Sequence, residues 1–488
     1  MFKRVFAIFV LFAEFTKVSS QNLLLTDFGF NEAKTDQQRY EVLWQTHKEA
    51  LKRGTGVDYK GIADFTLTIT SKTKSIPLPL YTDFAGVKIT VINQSNNIYL
   101  FTLNNAFKPI EVPIKQLKKG KFSEVDELKR GIKLLVIEDK KPWVDNRCGY
   151  SYGAQRKDII LINNGRAQNS TIFPYTDGES SPIYRYCNAS SEQKVVKNLI
   201  VERSPQSTYI TNVVKVNGYN NVLLQNFKIF TPKSDLVADR AITIQNSTNV
   251  TLNNVEINRT YSRKDKSGYG ISMNNVWNSR FIHLKAYGKW GVFGTNNMSM
   301  VTIEDSDINR FDIHCYGRDV YCQNSIFRDK YNQFSSLSGA LRFIDCHFVN
   351  FVPVLFESSY SAYTHFKLDI EDCVIDVDSE RPYLISAGNL EKVSDNRRKS
   401  LAKICWPDIR VRNLTVNLKD KMNNWSLFYS KGGTGVRIHG ISEIDIDGLI
   451  VNGGGKYRKL YLSNNKMDFE RQLKVGLRKS NIKTIEIK

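Results

Sequence analysis

The chain has few cysteines, and none of them has the spacing of a metal site. Seven cysteines occur in 488 residues, and no two of them form a C-x-x-C pair. The odd number leaves at least one cysteine free or paired with another chain. A small disulfide-stapled protein has a much higher cysteine density, and a zinc finger needs closely spaced ligand pairs. The sequence therefore excludes both classes.

Acidic residues are also scarce relative to basic ones. The chain has 49 Asp and Glu against 69 Lys and Arg, which gives a formal net charge of +20. A hydrophobic fraction of 41% with 11% aromatic residues excludes a disordered chain. A globular protein this basic indicates an acidic partner, namely nucleic acid, an anionic membrane surface or an acidic polysaccharide.

The apolar run at the N-terminus is too short to span a bilayer. Residues 5–13 are apolar, they follow Lys3 and Arg4, and small residues at 18–20 precede Gln21. This pattern predicts a signal peptide over residues 1–20, with no membrane span. Its removal takes away three cations and one anion and leaves a charge of +18. We therefore expect a secreted or periplasmic protein whose partner is an acidic polysaccharide and not nucleic acid.

One pattern repeats along the second half of the chain: apolar-x-apolar-x-Asn/Asp-x-x-apolar. Each unit is typical of a strand with period-two alternation, a polar corner and a second short strand. The spacing between the polar positions varies from 19 to 41 residues, which excludes a strict short repeat. The units are Val222-Leu224-Asn226-Ile229, Val250-Leu252-Asn254-Ile257, Val301-Ile303-Asp305-Ile308, Val320-Cys322-Asn324-Phe327, Leu341-Phe343-Asp345-Phe348, Leu368-Ile370-Asp372-Ile375, Ile409-Val411-Asn413-Val416 and Ile444-Ile446-Gly448-Val451.

The repeat predicts an all-β fold in which parallel strands wind into a solenoid and each turn buries its apolar side chains against the next. A β-sandwich is the competing fold, but it needs tight hairpins, and the chain is poor in Asn-Gly and Asp-Gly pairs. Helical spacing of apolar residues after Thr35 predicts an amphipathic helix that caps the open end of the solenoid. The predicted divisions are a signal peptide (1–20), a cap (21–56), a parallel β-helix (57–455) with an irregular basic and aromatic insertion (104–190), and a C-terminal cap or tail (456–488).

The start of the mature chain, "TDFG…KTDQQRYEVLWQTHKEAL", followed by apolar strands at 65–69 and 87–92 and by the Asn/Asp corners, resembles a known family. It is similar to the right-handed parallel β-helix of the pectate-lyase-like superfamily, in particular to secreted polysaccharide lyases of Bacteroides-type gut bacteria. The resemblance implies an acidic glycan as substrate. It also keeps open a mechanism with Ca²⁺ and a Lys or Arg base. No concentrated acidic cluster on the same face suggests where such an ion would bind, so no metal ligand is predicted.

Strand alternation predicts which side chains face outward. Inward positions are expected at Val292, Gly294, Ile313 and Cys315. One outward column is then Lys215, Thr243, Ser272, Phe293 and His314, and the next is Asn217, Gln245, Asn274, Thr295 and Tyr316.

The segment 309–319 (NRFDIHCYGRD) concentrates titratable groups in one strand. Arg310, Asp312, His314 and Tyr316 are expected on one face, with Arg318 at the following turn. Acid–base chemistry needs such groups on a rigid element, so these five are the predicted catalytic residues. The predicted substrate-binding residues are Lys215, Arg240, Asn274 and Lys289 on the solenoid, and Tyr150, Tyr152 and Arg156 in the insertion.

The charge and these groups together favour β-elimination on a uronic-acid polymer, with a glycosaminoglycan such as chondroitin sulfate as the favoured substrate. His314 is suited to act as a base, Tyr316 as an acid or base, and Arg310, Arg318 or Lys289 to neutralise the substrate carboxylate. Asp312 would orient His314. Two alternatives stay open: a glycoside hydrolase on the same fold, which needs paired carboxylates, and a solenoid that binds a polyanionic glycan without cutting it.

Overall fold

The computed structural model describes residues 21–488 except for the following positions: 96–97, 112–116, 122, 145–153, 173–174, 176–180, 210–211, 235–240, 262–268, 288–290, 329–330, 335–336, 358–364, 378–382, 389–403, 406–407, 420–423, 431–437, 440–442, 454–458, 465–478, 483–484 and 488. The predicted signal peptide therefore lies outside the described residues. Within them, no helix is long and apolar enough to cross a membrane.

The described chain is almost entirely β-structure. Its one α-helix is α1 (Asp36–Arg53), and two 3-10 helices span Leu25–Phe28 and Asp126–Leu128. The first twelve strands are β1 (Leu23–Leu24), β2 (Val57–Asp58), β3 (Phe65–Ile69), β4 (Ile76–Pro77), β5 (Tyr81–Asp83), β6 (Lys88–Asn93), β7 (Tyr99–Asn104), β8 (Lys108–Ile110), β9 (Ile132–Val144), β10 (Ala154–Asn163), β11 (Arg166–Ala167) and β12 (Pro182–Ala189).

The next thirteen strands are β13 (Lys194–Lys197), β14 (Ile200–Arg203), β15 (Asn212–Asn217), β16 (Asn220–Ser234), β17 (Ile242–Tyr261), β18 (Tyr269–Ile282), β19 (Lys285–Tyr287), β20 (Gly291–Glu304), β21 (Asp307–Ile308), β22 (Phe311–Gln323), β23 (Ile326–Arg328), β24 (Tyr331–Phe334) and β25 (Leu337–Ile344). The last thirteen are β26 (His347–Val349), β27 (Val352–Glu357), β28 (His365–Glu371), β29 (Val374–Val377), β30 (Tyr383–Gly388), β31 (Ile404–Cys405), β32 (Asp408–Leu418), β33 (Asn424–Ser430), β34 (Ile438–His439), β35 (Glu443–Gly453), β36 (Lys459–Asn464), β37 (Lys479–Ile482) and β38 (Ile485–Ile487).

The predicted right-handed parallel β-helix is confirmed. Strands one turn apart pair in parallel, as in the ladder β7–β15–β17–β18–β20–β22–β24, and two further ladders wind with it to form three faces. The inward side chains form one apolar cluster that runs from Leu25 to Val451. Because no single turn encloses a core, each turn depends on its neighbours for burial.

The polar position of the repeat forms a corner with left-handed backbone. Asn226 and Asn254 have φ values of 56° and 53°, and Asn254 Nδ2 donates to Asn226 Oδ1 at 2.8 Å. Asparagine and aspartate tolerate positive φ better than other non-glycine residues, which explains their choice here. The same conformation occurs at Asp305, Asn324, Asp345, Asp372, Asn413 and Gly448. His283, with φ 53°, occupies this corner in a turn that the repeat pattern missed.

Helix α1 packs on β3 and β4 at the N-terminal end of the solenoid. A capping box starts it: Thr35 Oγ1 accepts from the Gln38 amide, and Gln38 Oε1 accepts from the Thr35 amide. His47 is fully buried between this helix and the first turns. Its Nδ1–H donates to the Pro77 carbonyl at 3.1 Å, so its Nε2 accepts from the Tyr59 hydroxyl at 2.9 Å.

The described residues of the insertion form a second, smaller sheet. Strands β8–β12 form an antiparallel sheet in the order β11-β10-β9-β12-β8, with an apolar cluster on each side. One cluster includes Leu134 and Val136 and packs against Trp277 of the solenoid. Asn275 Nδ2 donates to the Asp158 carbonyl at 3.3 Å. The insertion therefore forms a lobe that is attached to one corner of the β-helix.

Parallel pairing also continues after residue 455. Strand β36 pairs with β33, and β37 and β38 pair with β35. The described residues of the C-terminal segment thus extend the solenoid ladders.

The predicted side-chain columns need a correction of register at β20. The residue in register with the buried Ile271 and Phe311 is Phe293, and not Val292. Gly294 is in register with Ser272 and Asp312. Val292 and Phe293 are both apolar, so alternation alone does not decide between them. The outward column therefore runs Lys215, Thr243, Ser272, Gly294, Asp312 and Gln333.

Candidate active site

Strand β22 carries the predicted catalytic segment and departs from the regular ladder there. Thr295 pairs with Ile313 but Asn296 pairs with Cys315, so His314 is an extra residue, a β-bulge. A bulge bends the strand and turns its side chain away from the regular alternation. Tyr316 follows in left-handed conformation, with φ 66°. Strained backbone of this kind clusters at functional sites, which makes this turn the candidate site.

Tyr316 replaces asparagine at its corner. In the three preceding turns the same register position is Asn246, Asn275 and Asn297, all with positive φ. A tyrosine has no side-chain amide to compensate for that conformation, so the backbone cost must be offset by other contacts. The Tyr316 ring packs against the apolar cluster of the insertion lobe, and its hydroxyl lies 2.7 Å from Ser338 Oγ.

Arg310 and Asp312 form a buried ion pair. Arg310 Nε donates to Asp312 Oδ1 at 2.8 Å, and the two side chains are 2% and 0% exposed. The Arg310 guanidinium also lies over the Tyr331 ring at 4.5 Å. Burial by itself lowers the pKa of Arg310, but the charge of Asp312, together with Tyr331 and the hydrogen bond, raises it above its usual value. The Arg310 guanidinium is therefore not accessible to a substrate carboxylate.

Asp312 also binds the hydroxyl of Tyr269, which comes from a strand two turns earlier. Tyr269 Oη donates to Asp312 Oδ2 at 2.6 Å and lies 2.9 Å from His314 Nε2. Since the phenol has one proton and the carboxylate accepts it, we assign a proton to His314 Nε2, which then donates to Tyr269 Oη. His314 Nε2 is 3.6 Å from Asp312 Oδ2, too far for a direct hydrogen bond.

The solvent-accessible members of this cluster are the imidazole and the phenol. The His314 side chain is 15% exposed, and Tyr269 is also partly exposed, whereas Asp312 behind them is sealed. A ligand on the outer face of the solenoid therefore meets a hydrogen-bonded imidazole–phenol pair. Asp312 holds the phenol in place, and Arg310 balances the charge of Asp312.

The structure places the five predicted catalytic residues in four different environments. Arg310 and Asp312 are buried, His314 borders solvent, and Tyr316 points to the insertion lobe instead of sharing a face with His314. Burial raises the pKa of the Tyr316 phenol, although Ser338 and Arg318 oppose the shift. Arg318 is exposed, with its Nε 3.4 Å from Asp319 Oδ2.

The predicted substrate-binding residues are dispersed. Lys215 lies four strands from Asp312 in the outward column, with its ammonium 5.5 Å from the Tyr99 ring centre. Asn274 is partly buried, and its Oδ1 has no hydrogen-bond partner among the described residues. Arg156 is 7% exposed and lies in the lobe near Tyr175, so it is not a surface residue. Four others lie outside the described residues: Tyr150, Tyr152, Arg240 and Lys289.

Tyr269 is the site residue that the sequence did not suggest. Strand β20 separates Tyr269 from Asp312. In that strand Gly291 pairs with Tyr269, and Gly294 lies in register between Ser272 and Asp312. Glycine carries no side chain, so the intervening strand leaves space for a side chain that spans two turns. The two glycines were the available signal, but nothing local links Tyr269 to a residue 43 positions later.

The cluster does not fit the Ca²⁺ that the family resemblance implies. Calcium takes six to eight oxygen ligands, but the one carboxylate here already binds Arg310 and Tyr269. Within the described part of the chain, no three side chains of His, Cys, Asp or Glu lie together as a metal site.

Comparison with known proteins gives structural similarity only. No protein-family model matches the chain, and no curated protein matches it. Among solved structures, the Gp54 tailspike of Acinetobacter baumannii bacteriophage AP22, in complex with A. baumannii capsular saccharide, is 9% identical, with a TM-score of 0.46 over 89% of this chain and 77% of that one. The tailspike gp49 of Pseudomonas phage LKA1 is 11% identical, with a TM-score of 0.48 over 91% and 81%.

PfbA, a surface adhesin of Streptococcus pneumoniae, is 10% identical, with a TM-score of 0.38 over 95% of this chain and 93% of that one. At this level of similarity, what these proteins bind does not transfer to this chain. The fold assignment depends on the strand pairing described above.

Proposed function

We propose that the protein is a secreted polysaccharide lyase that cleaves an acidic, uronic-acid-containing glycan by β-elimination. The observation that carries this proposal is the imidazole–phenol pair of His314 and Tyr269, 2.9 Å apart at the surface of the outer face. β-Elimination needs one group that removes the proton α to the uronate carboxylate and one that protonates the departing glycosidic oxygen. The two accessible members of the cluster are suited to these two tasks.

In the proposed reaction His314 accepts the proton from the carbon next to the carboxylate, and Tyr269 donates its phenolic proton to the leaving oxygen. The bond between the uronate ring and the glycosidic oxygen breaks as a carbon–carbon double bond forms within the uronate ring, and the neighbouring sugar departs with that oxygen protonated. His314 accepts the carbon-bound proton at Nδ1, because Nε2 already carries one. The imidazolium then gives its Nε2 proton to the phenolate, and proton exchange with water returns His314 to the tautomer that is protonated at Nε2. Asp312 orients the phenol, and Arg310 offsets the charge of Asp312.

Neutralisation of the substrate carboxylate is assigned to other cations. Arg310 is sealed by Asp312 and Tyr331, so this role passes to Arg318, which is exposed, and to Lys289 and Arg240 as sequence predictions. Screening by nearby cations stabilises the charge that develops in the transition state. A glycosaminoglycan such as chondroitin sulfate is the favoured substrate.

A hydrolase at this site is less consistent with the geometry. Hydrolysis needs two accessible carboxyl groups on either side of the glycosidic bond. Asp312 is 0% exposed and already paired with Arg310, so it is suited neither to attack the sugar nor to protonate it.

The experiment incubates the protein with chondroitin sulfate, hyaluronan, heparin, alginate and pectate. The product is measured by the ultraviolet absorbance of the unsaturated uronate. We expect absorbance with at least one of these glycans, and His314→Ala should lower its rate at least about 100-fold. His347→Ala is the matched control, because His347 is half-exposed on another face, where it contacts Asp376. It should keep the wild-type rate.

Three results would overturn the proposal. The first is reducing ends without unsaturation, which indicates a hydrolase. The second is tight glycan binding without any product, which indicates a binding solenoid. The third is a His314→Ala variant as active as the control.

A further inference from the structure

The insertion lobe presents an ordered row of lysines. Residues 117–121 run beside residues 166–171: the Gly120 amide donates to the Ala167 carbonyl at 2.8 Å, and the Ala167 amide donates to the Lys121 carbonyl at 3.0 Å. Leu117 and Ala167 are buried in the apolar cluster of the lobe. Because these residues fix the inner side of the segment, Lys118, Lys119 and Lys121 are exposed.

Arg166 adds a fourth cation to this surface. It belongs to β11, where Ala167 is buried and Arg166 is exposed. Its guanidinium lies against Gly120, with Nη2 3.6 Å from the point where a β-carbon of that residue would stand. We call these four residues, Lys118, Lys119, Lys121 and Arg166, the basic edge.

The basic edge differs from the solenoid arginines in its lack of ion-pair partners within the described part of the chain. No ion pair involves any of its four residues there, and the neighbouring Asp126 is already paired with Lys129. Arginines on the solenoid do have such partners: Arg280 pairs with Glu304, and Arg328 donates from Nε and Nη2 to Asp307. Four cations on a backbone held by hydrogen bonds produce a local positive potential that attracts a polyanion.

We propose that the basic edge is a second binding surface for acidic polysaccharide, separate from the His314 site. The apolar cluster that anchors the edge through Leu117 and Ala167 also contacts Tyr316, two residues after His314. Lysine acts as a point charge and does not impose the bidentate geometry of arginine, which suits repeated carboxylate or sulfate groups.

This inference takes the class of polymer from the proposed function but does not depend on cleavage. The test is the affinity for labelled heparin and chondroitin sulfate at low and physiological salt. The variant reverses three charges: Lys118→Glu, Lys119→Glu and Lys121→Glu. The matched control, called the cap variant, reverses three exposed lysines in and just after the N-terminal cap, Lys34, Lys60 and Lys72, so both proteins have the same net charge.

We expect the basic-edge variant to lose affinity at least about tenfold at physiological salt and to show a weaker salt dependence than the wild type. The cap variant should stay within about twofold of the wild type, because net charge alone acts weakly at this ionic strength. A milder variant with Gln at the same three edge positions covers the case in which the Glu variant fails to fold. It should also bind the glycans more weakly than the wild type.

Equal losses in the edge and cap variants, or no loss in the edge variants, would overturn the inference. Single-stranded DNA is the third arm of the test. If DNA binds as tightly as the glycans and loses as much affinity in the edge variant, the assignment to polysaccharide is wrong. The two proposals fail separately: glycan binding at the edge without product contradicts only the lyase, and product formation with unchanged binding in the edge variant contradicts only the basic edge.

Discussion

Replacing Asp312 by Asn removes the negative charge that pairs with the Arg310 guanidinium, which is 2% exposed. Asn keeps the size of the side chain and an oxygen that accepts from Arg310 and Tyr269. The loss is therefore electrostatic: an uncompensated charge stays buried, and breaking a buried ion pair in this way costs about 3–5 kcal/mol. Urea denaturation followed by tryptophan fluorescence measures this loss of stability.

A matched substitution sets the scale for this measurement. Asp307→Asn breaks the ion pair with Arg328. The Asp307 side chain is 21% exposed and that of Arg328 is 35% exposed, so this substitution should lower the free energy of unfolding by at most about 1 kcal/mol. Arg310→Met combined with Asp312→Asn removes both buried charges, so the double variant should be more stable than Asp312→Asn alone. The reasoning is refuted if Asp312→Asn costs no more than Asp307→Asn, or if removal of Arg310 brings no recovery.

Three further predictions concern the cap, the corners and the two tyrosines. Burial lowers the pKa of His47 from its usual 6.5 to about 3, so the unfolded chain binds the extra proton first as pH falls below 6.5. Stability should drop by about 2 kcal/mol from this residue between pH 7 and pH 5, and a His47→Gln variant should show that much less pH dependence. Asn254→Gly should cost about 1 kcal/mol for the lost hydrogen bond, and Asn254→Ala more, because alanine does not favour positive φ; urea denaturation compares the two. Tyr269→Phe should lower turnover at least about 100-fold, and Tyr316→Phe should lower it far less, as measured by initial rates on the substrate that the screen identifies.

The fold was largely predictable because the corners of the solenoid require particular residue types. Positions such as Asn226, Asn254 and Asp305 must adopt positive φ and bind the neighbouring turn, and few residue types do both. The histidine at position 283 shows the limit of this signal, since it adopts the same conformation without matching the pattern.

The site was predictable only in part, because its contacts cross several turns. Alternation correctly places Asp312 opposite the buried Phe311 and Ile313, but it cannot show that Tyr269, His314 and Arg310 then cover that carboxylate. The bulge at His314 depends on the pairing with the preceding strand, and one extra residue changes the face of the side chains that follow. Tyr316 consequently joins the insertion lobe, where sequence reasoning had placed it beside His314.

The central claim is that the His314–Tyr269 pair eliminates a glycosidic oxygen without adding water. The most direct test is to digest the substrate in water labelled with heavy oxygen and to weigh the products by mass spectrometry. Because elimination adds no water, the products should carry no label beyond the slow exchange of the new reducing ends. Each cut should produce one unsaturated uronate, and the His314→Ala variant should form these products at least about 100-fold more slowly. One labelled oxygen incorporated per cut would contradict the central claim.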